Sequence, residues 1–327
     1  MKRRAHNFGW GLLIGAAIVL LWTPPLMHLA GNAQGETPEF TAPEASGADG
    51  KAAVSVLEET GEKQTQSLED YLTGVVLGEI PADFEAEALK AQAVAARTYT
   101  RKAQLFGGKH GDGSLCRDPG CCQAYWDPGD YLDRGGSPEN LERVRAAVRQ
   151  TDDLVLSYRG ELIEATYFAC SGGRTEAAVA VWGTDYPYLR AADSPGEENA
   201  MYFRDTKWAG RQELEEALGI SLPEDPSRWL GAVARTSGGG VDWMELGGVR
   251  FPGTVLRQKL GLRSTAFEAA PEADGLLFET RGFGHRVGLS QYGAQAMAKE
   301  GADFAQILQH YYPGTSIGKY VELFTQK

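Results

Sequence analysis

The sequence predicts an α+β fold in which helices and antiparallel strands surround a cleft. Predicted helices and strands come in blocks and do not alternate strictly, which favours this class over a doubly wound sheet. Hydrophobic residues make up 43% of the chain, enough for a large core, and its 41 glycines among 327 residues indicate many turns. The formal net charge is −12, which is unfavourable for binding nucleic acid.

The first 50 residues are predicted to precede the folded domain. Residues 1–7 are basic and are predicted to form a cytoplasmic stub, since positive charge marks the cytoplasmic side of a membrane segment. Residues 8–30 carry no Asp, Glu, Lys or Arg and are predicted to form one transmembrane anchor. A cleaved signal peptide ending at the small residues 31–33 is the alternative. Residues 31–50 read as a flexible linker, which leaves residues 51–327 as one extracytoplasmic domain.

Caps and apolar spacing predict the elements of this domain. Ser67 starts the first helix and Pro81 ends it, whereas Asp83 is the expected cap of the second. Residues 108–136 are predicted to be a loop, because they are rich in Gly, Asp and Pro. The predicted helices are 68–80, 84–105, 138–150, 212–218, 254–260, 291–299 and 304–311. The predicted strands are 154–158 and 161–168, which form a hairpin, 265–268 and 276–280.

Glu79 is the candidate catalytic residue. It lies in the last turn of the first predicted helix, where the negative end of the helix dipole disfavours a carboxylate and should raise its pKa. A glutamic acid with a raised pKa can act as a general acid near neutral pH. The alternative is an ordinary solvated side chain at a frayed helix end.

Lys90 and Arg97 lie two turns apart on one face of the second predicted helix, about 10.5 Å along its axis. Alanines on both sides suggest that this face is partly buried. The two cations either form a surface salt-bridge network with Glu87 or position Glu79 or a substrate.

A cluster of metal-binding residue types lies in the predicted loop: His110, Cys116, Cys121 and Cys122. One interpretation is a structural zinc site with His110, Cys116 and Cys122 as ligands and Cys121 as a fourth. The other is a disulfide between Cys116 and one of the two adjacent cysteines, as expected of an exported protein. A closed four-ligand zinc site leaves no position for water, so the sequence predicts no cofactor for catalysis.

Several stretches together resemble the stage II sporulation protein D family of endospore-forming bacteria. The first block is long and specific, and the resemblance covers nearly all of the predicted extracytoplasmic part. The stretches are residues 71–81, Phe84, 87–99, 171–175, 181–183, 187–189 and 282–294.

The resemblance implies a membrane-anchored lytic transglycosylase that cleaves the MurNAc–GlcNAc bond of denuded peptidoglycan strands. Its role would be septal wall remodelling and engulfment during sporulation, at the septum between mother cell and forespore. Such an enzyme needs one carboxyl group, because the C6 hydroxyl of MurNAc attacks C1 and leaves a 1,6-anhydro end. The resemblance assigns that role to Glu79. It implies as substrate-binding residues Lys90, Arg97, Ser171, Gly172, Gly173, Thr175, His285, Ser290, Gln291 and Tyr292.

The chain departs from the usual family pattern after His285, where Arg286 stands in place of glycine. A structural turn or a phosphate-binding loop is the alternative for residues 282–294, although their spacing is not a dinucleotide fingerprint. The expected partners are glycan strands, a cell-wall amidase, other engulfment membrane proteins and the membrane, with no nucleic acid. A non-catalytic activator or recruiter of an amidase is the second functional hypothesis. A metal hydrolase is the third and weakest, since no HExxH motif is present.

Overall fold

The computed structural model describes residues 47–58 and 60–324. The predicted cytoplasmic stub (1–7), the predicted anchor (8–30) and most of the predicted linker (31–50) lie outside the described residues. Across the part that is described, no helix combines the length and the apolar character needed to cross a membrane.

The fold is mixed α+β, with mainly antiparallel strands, as the sequence predicts. The helices are α1 (Ala48–Lys51), α2 (Leu68–Glu79), α3 (Ala86–Phe106), α4 (Pro128–Asp133), α5 (Pro138–Gln150), α6 (Ala178–Trp182), α7 (Arg211–Leu218), α8 (Gly253–Lys259), α9 (Gln291–Lys299), α10 (Phe304–Tyr311) and α11 (Tyr320–Phe324). A short 3-10 helix spans Pro226–Arg228.

The strands form small sheets. They are β1 (Ala53–Leu57), β2 (Lys63–Ser67), β3 (Leu115–Cys116), β4 (Leu154–Tyr158), β5 (Glu161–Leu162), β6 (Tyr167–Phe168), β7 (Arg204–Gly210), β8 (Leu230–Arg235), β9 (Val241–Leu246), β10 (Val249–Pro252), β11 (Phe267–Glu272), β12 (Gly275–Arg281), β13 (Leu289–Ser290) and β14 (Ser316–Lys319). The sheet orders are β2-β1-β3, β10-β9-β8, β11-β12-β7, β13-β6 and β14-β4-β5. The pairs β1–β3 and β6–β13 are parallel, and the others are antiparallel.

Helix α3 is the centre of the first lobe and packs against α2, α5, α9, α10 and β4. Its alanines at 91, 93, 95 and 96 are fully buried, so neighbouring elements can approach its backbone closely. A second lobe has its own core around Trp229, Phe267 and Phe278, formed by residues between β7 and β12. The chain returns from this lobe at residue 282 and re-enters the first lobe through β13 and α9.

The predicted bounds of helices and strands agree best with the structure where the sequence contains a clear capping residue. Helix α2 begins at Leu68, and the Ser67 side chain accepts a hydrogen bond from the Asp70 N–H. Helix α3 begins at Ala86, so Asp83 is not its cap, and the Glu85 side chain makes no capping hydrogen bond. The predicted strand 161–168 is interrupted, because β6 leaves the hairpin to pair with β13.

The predicted boundary between linker and domain at residue 51 is wrong. Helix α1 starts at Ala48, and Asp49 is 1% exposed. The Ala48 and Asp49 N–H groups donate to the Asp152 carboxylate at 3.1 and 2.9 Å. The folded domain therefore begins before residue 51.

Candidate active site

Glu79 lies in a cleft with a volume of about 790 Å³. Gln291 and His285 line the same cleft, so α2, α9 and the 282–285 loop meet there. The cleft also carries aromatic residues that the sequence prediction did not assign to it, among them Trp182, Tyr186, Tyr202 and Phe283. Aromatic lining with a few convergent polar groups is typical of a ligand site.

The carboxylate of Glu79 is held by donors from two directions. The Ala124 N–H donates to Oε1 at 2.7 Å, and Gln291 Nε2 donates to Oε2 at 3.3 Å. Gly78 makes the first contact possible, because a Cβ at this position would lie 2.7 Å from the Tyr125 backbone nitrogen. The loop after Cys122 can therefore pass directly over the end of α2.

Burial raises the pKa of Glu79, and the hydrogen bonds from Ala124, Gln291 and Tyr167 offset this only in part. The direction agrees with the sequence prediction, but the main cause is burial in the cleft and not the helix dipole. A carboxyl group in this state can hold a proton at a pH where exposed glutamates have lost theirs.

Tyr167 is a third hydrogen-bond partner of Glu79. Its phenol hydrogen-bonds Glu79 and accepts from Gln123 Nε2 at 2.7 Å. Gln123 in turn accepts from Thr100 Oγ1 at 3.0 Å. Burial keeps the pKa of Tyr167 well above its ordinary value of 10, so the phenol remains a hydrogen-bond donor. A buried network therefore fixes the donor that faces the catalytic candidate.

His285 lines the cleft, as the resemblance implies, but it is poorly suited to carrying a proton. Burial and the Arg257 guanidinium lower its pKa to about 4. Its Nδ1 accepts the Val287 N–H at 3.1 Å, and its ring lies 5.3 Å from Trp182 between ring centroids. The imidazole is therefore neutral, and its role is to form part of the cleft lining.

Another carboxylate lines the cleft. Glu164 forms an ion pair with Lys102, with 2.6 Å between Oε1 and Nζ. Both side chains are partly exposed, at 34% and 24%. Glu164 thus differs from Glu79 in having a cationic partner.

Four of the other predicted substrate-binding residues, Ser171, Gly172, Gly173 and Ser290, surround a buried carboxylate, Glu197, and not the cleft. Sequence reasoning missed this residue. Glu197 accepts hydrogen bonds from the side chains of Ser171 and Ser194 at 2.7 and 2.8 Å and from the Gly172 N–H at 2.9 Å. Gly173 N–H and Ser290 Oγ also donate to it. Because Ser171 and Ser290 are 0% exposed, they cannot contact a bound polymer.

The residues around Glu197 nevertheless influence the active site through α9. Ser290 is the N-cap of α9, and its Oγ accepts the Gly293 N–H. Gln291 follows directly and donates to Glu79. Glu197 therefore fixes the start of the helix that carries a Glu79 partner.

Thr175 and Tyr292 also lie outside the cleft lining. Thr175 is 1% exposed and its N–H donates to the Ala192 carbonyl at 2.8 Å. Tyr292 packs edge-on against Tyr202, which does line the cleft, with ring centroids 5.9 Å apart. Its role there is packing behind the aromatic wall.

Neither Lys90 nor Arg97 lines the cleft. Arg97 is 0% exposed and its Nε donates to Asp49 Oδ2 at 2.6 Å. Its Nη1 and Nη2 donate to the Leu154 and Val148 carbonyls at 3.2 and 3.1 Å. Lys90 pairs with Glu87 at 2.7 Å. The assignment of Arg97 as a substrate contact is therefore corrected to a structural role, and Lys90 follows the salt-bridge alternative.

Arg286 occupies a backbone position that favours glycine, with φ of 65°. This agrees with the glycine expected there from the resemblance. The side chain is 2% exposed, and it donates to the Ser171 and Arg174 carbonyls at 2.9 and 2.6 Å. These bonds tie the 282–286 loop to the 171–174 loop and offset the unfavourable backbone conformation.

The Cys/His cluster is assembled beside the cleft. The ligand atoms of His110, Cys116, Cys121 and Cys122 lie within 4.8 Å of one another, and all four cysteines of the chain have free thiols. His110 Nε2 is 3.7 Å from Cys121 Sγ and 3.5 Å from Cys122 Sγ. Cys122 lines the cleft, two residues before the Ala124 N–H that binds Glu79.

These features define a two-lobed α+β protein whose cleft presents a buried carboxylic acid among aromatic side chains. Residues 58–158, which include Glu79 and the Cys/His cluster, match the family model described as "Stage II sporulation protein". The chain belongs to the stage II sporulation protein D family.

Its similarity to individual proteins extends beyond the matched segment. It is 38% identical over 257 residues to "Stage II sporulation protein D" of Bacillus subtilis (strain 168), covering 77% of this chain and 74% of the relative. It is 34% identical over 328 residues to the protein of that name from Bacillus amyloliquefaciens, covering 94% and 95%. It is 29% identical over 305 residues to "Amidase enhancer" of Bacillus subtilis (strain 168), covering 76% of this chain and 40% of that protein.

Proposed function

We propose that the protein is a lytic transglycosylase that cleaves the MurNAc–GlcNAc bond of denuded peptidoglycan during sporulation. The observation that carries the proposal is the state of Glu79, a carboxyl group with a raised pKa that faces an aromatic-lined cleft. The aromatic side chains give apolar surface on which sugar rings can pack, and membership of the stage II sporulation protein D family supports peptidoglycan as the substrate.

In the proposed reaction, protonated Glu79 gives its proton to the glycosidic oxygen while the bond from that oxygen to C1 of MurNAc breaks. The C6 hydroxyl of the same sugar then forms the new bond to C1, and its proton returns to Glu79. The acid is regenerated and no water is consumed. Ala124, Gln291 and Tyr167 stabilise the transient carboxylate through their hydrogen bonds.

The second carboxylate, Glu164, raises the alternative of ordinary hydrolysis, which uses two carboxyl groups. Its ion pair with Lys102 supports a role in shaping the cleft wall. The two reactions differ in product, because transglycosylation leaves a 1,6-anhydro end and hydrolysis leaves a reducing end. Mass spectrometry of fragments from denuded strands distinguishes them by one water.

We expect activity to fall as the pH rises through the pKa of Glu79, because only the protonated acid can donate. Since burial raises this pKa, the descending limb of the kcat/KM profile should lie above pH 4.5, the ordinary value. The measurement is the rate of 1,6-anhydro product formation across pH. A descending limb at or below pH 4.5 contradicts the assignment, and Glu164→Gln should leave the limb in place.

We propose that the Cys/His cluster holds a structural zinc ion. One imidazole nitrogen and three sulfurs are a donor set that zinc prefers, and tetrahedral zinc places such atoms roughly 3.5–4 Å apart. The separations of 3.5 and 3.7 Å from His110 Nε2 fit this spacing. A bound zinc ion would order the loop that places the Ala124 N–H against Glu79.

Removal of the metal should therefore lower the melting temperature and weaken activity. Native mass spectrometry should find about one zinc per chain, lost in Cys116→Ser and retained in Cys170→Ser, whose thiol lies outside the cluster. Purified protein without zinc and two hydrogens lighter than the fully reduced chain would instead support the disulfide.

The activator hypothesis remains as the second candidate because one relative is named "Amidase enhancer". Under it, the full-length protein yields no 1,6-anhydro product but raises the rate of a cell-wall amidase. We further propose that residues 8–30 anchor the domain on the outer face of the cell membrane, beside that amidase and other engulfment membrane proteins. Protease protection of the N-terminus in membrane vesicles tests this orientation.

A further inference from the structure

A second cavity, of about 530 Å³, lies between the 172–174 loop of the first lobe and the sheet of the second. Cavities between lobes are common ligand sites. This one is unusual in a chain with a net charge of −12, because its lining is rich in guanidinium groups. The arginines are Arg174, Arg204, Arg235, Arg281 and Arg286.

Three of these arginines have carboxylate partners. Arg174 pairs with Asp193, and Arg235 pairs with Glu268 at 2.7 Å. Arg286 is buried 3.9 Å from Glu176.

Arg204 and Arg281 differ, because within residues 47–58 and 60–324 neither has a carboxylate within 4.0 Å. Of the acidic side chains in the lining, Asp205 pairs with Arg263 and Glu268 with Arg235. Glu279 makes no ion pair with either arginine. Arg204 and Arg281 therefore line the cavity without a carboxylate partner, and the Arg204 guanidinium lies 5.9 Å from the centroid of the Phe203 ring.

These two arginines also oppose each other. Arg204 on β7 and Arg281 on β12 are direct partners in the antiparallel register, and both are exposed. Like charges directly opposite each other destabilise a sheet. Violations of such local rules tend to mark functional positions, and an anion bound between the two guanidinium groups would relieve the repulsion.

The cavity is close to the Glu79 cleft along the chain. Phe283 and His285 line the cleft, whereas Arg281 lines the second cavity, so one short loop forms a wall of both. The two α3 cations predicted to position a substrate are already engaged, Arg97 by Asp49 and Lys90 by Glu87. A strand extending from the cleft would find free guanidinium groups at this neighbouring cavity.

We propose that Arg204 and Arg281 form a subsite for a lactyl carboxylate of the same glycan strand that occupies the cleft. Guanidinium groups suit a carboxylate because they can donate two parallel hydrogen bonds to it. The identity of the polymer rests on the proposed function, whereas the recognition of a carboxylate rests on the charge and register of the two arginines.

The test compares two polymers that differ in this carboxylate. Full-length Glu79→Gln protein, which should not cleave, is titrated with denuded glycan strands and with uncharged N-acetylglucosamine oligomers of equal length. Arg204→Gln/Arg281→Gln should weaken binding of the denuded strands about tenfold or more. It should change binding of the neutral oligomers less than twofold, and its melting temperature should be unchanged or raised.

The matched control is Arg134→Gln/Arg228→Gln, which removes the same charge from two exposed arginines that do not line the cavity. The proposal would be overturned if the control variant lost as much affinity for denuded strands as Arg204→Gln/Arg281→Gln does. It would also be overturned if Arg204→Gln/Arg281→Gln lost affinity equally for both polymers, if it lost none, or if denuded strands did not bind at all. Stronger competition by poly(glycerol phosphate) than by denuded strands would overturn it in favour of a phosphate site. If the wild type yields no 1,6-anhydro product but the carboxylate-dependent difference persists, the subsite stands and the lytic function falls.

Discussion

Glu79→Gln should lower the rate of 1,6-anhydro product formation by about 10²- to 10⁴-fold, the range typical of a lost general acid. The amide can occupy the same space but has no proton of suitable acidity to give to the leaving oxygen. The Ala124 N–H can still donate to its carbonyl oxygen, so the variant should fold. The measurement is single-turnover cleavage of denuded strands, with circular dichroism to verify folding.

Glu164→Gln is the matched control, because it removes the other carboxylate that lines the cleft. We expect it to retain most activity and the same anhydro product. If Glu164→Gln were as inactive as Glu79→Gln and the wild-type product had a reducing end, the protein would be a two-carboxylate hydrolase. Wild-type activity in folded Glu79→Gln would remove Glu79 from the mechanism.

Arg97→Gln should reduce the free energy of unfolding by about 3–5 kcal/mol, the usual cost of removing one partner of a buried ion pair. It leaves the Asp49 carboxylate buried without its cation, and the Leu154 and Val148 carbonyls lose their donors. The measurement is denaturant unfolding of the full-length protein.

Lys90→Gln separates this effect from a role in binding, because the sequence suggested the same function for both cations. Lys90 is 18% exposed and pairs with Glu87 within one turn, so its loss should cost no more than about 1 kcal/mol. A stable Arg97→Gln protein that binds denuded strands poorly would restore the substrate-contact interpretation. A loss of stability in Lys90→Gln as large as that in Arg97→Gln would contradict this distinction between the two cations.

Local signals explain the parts of the fold that the sequence predicted well. Ser67 caps α2, and Ser137 followed by Pro138 starts α5, so both helices begin where these residues place them. The strands of the second lobe lack such markers. Strand β7, for example, reads RDTKWAG and has one buried side chain, at Ala209, so no apolar alternation revealed it.

The site was predicted in part for a similar reason. Glu79 and Gln291 belong to motifs that stand out in the sequence, and they do meet. Glu197 and Tyr167 do not stand out, because their importance comes from partners far along the chain. Glu197 joins Ser171 to Ser290, and Tyr167 joins Gln123 to Glu79. Only the folded chain brings such residues together.

The contact between Asp49 and Arg97 has a practical consequence for shortening the protein. A version of the protein that starts at Lys51, where composition alone would place the start of the domain, lacks Asp49. The guanidinium of Arg97, at the centre of α3, then has no counter-charge. Such a fragment should express poorly or melt early for reasons unrelated to its chemistry. A version that starts a few residues before Ala48 keeps the Asp49–Arg97 ion pair and is better suited to assays and crystallisation.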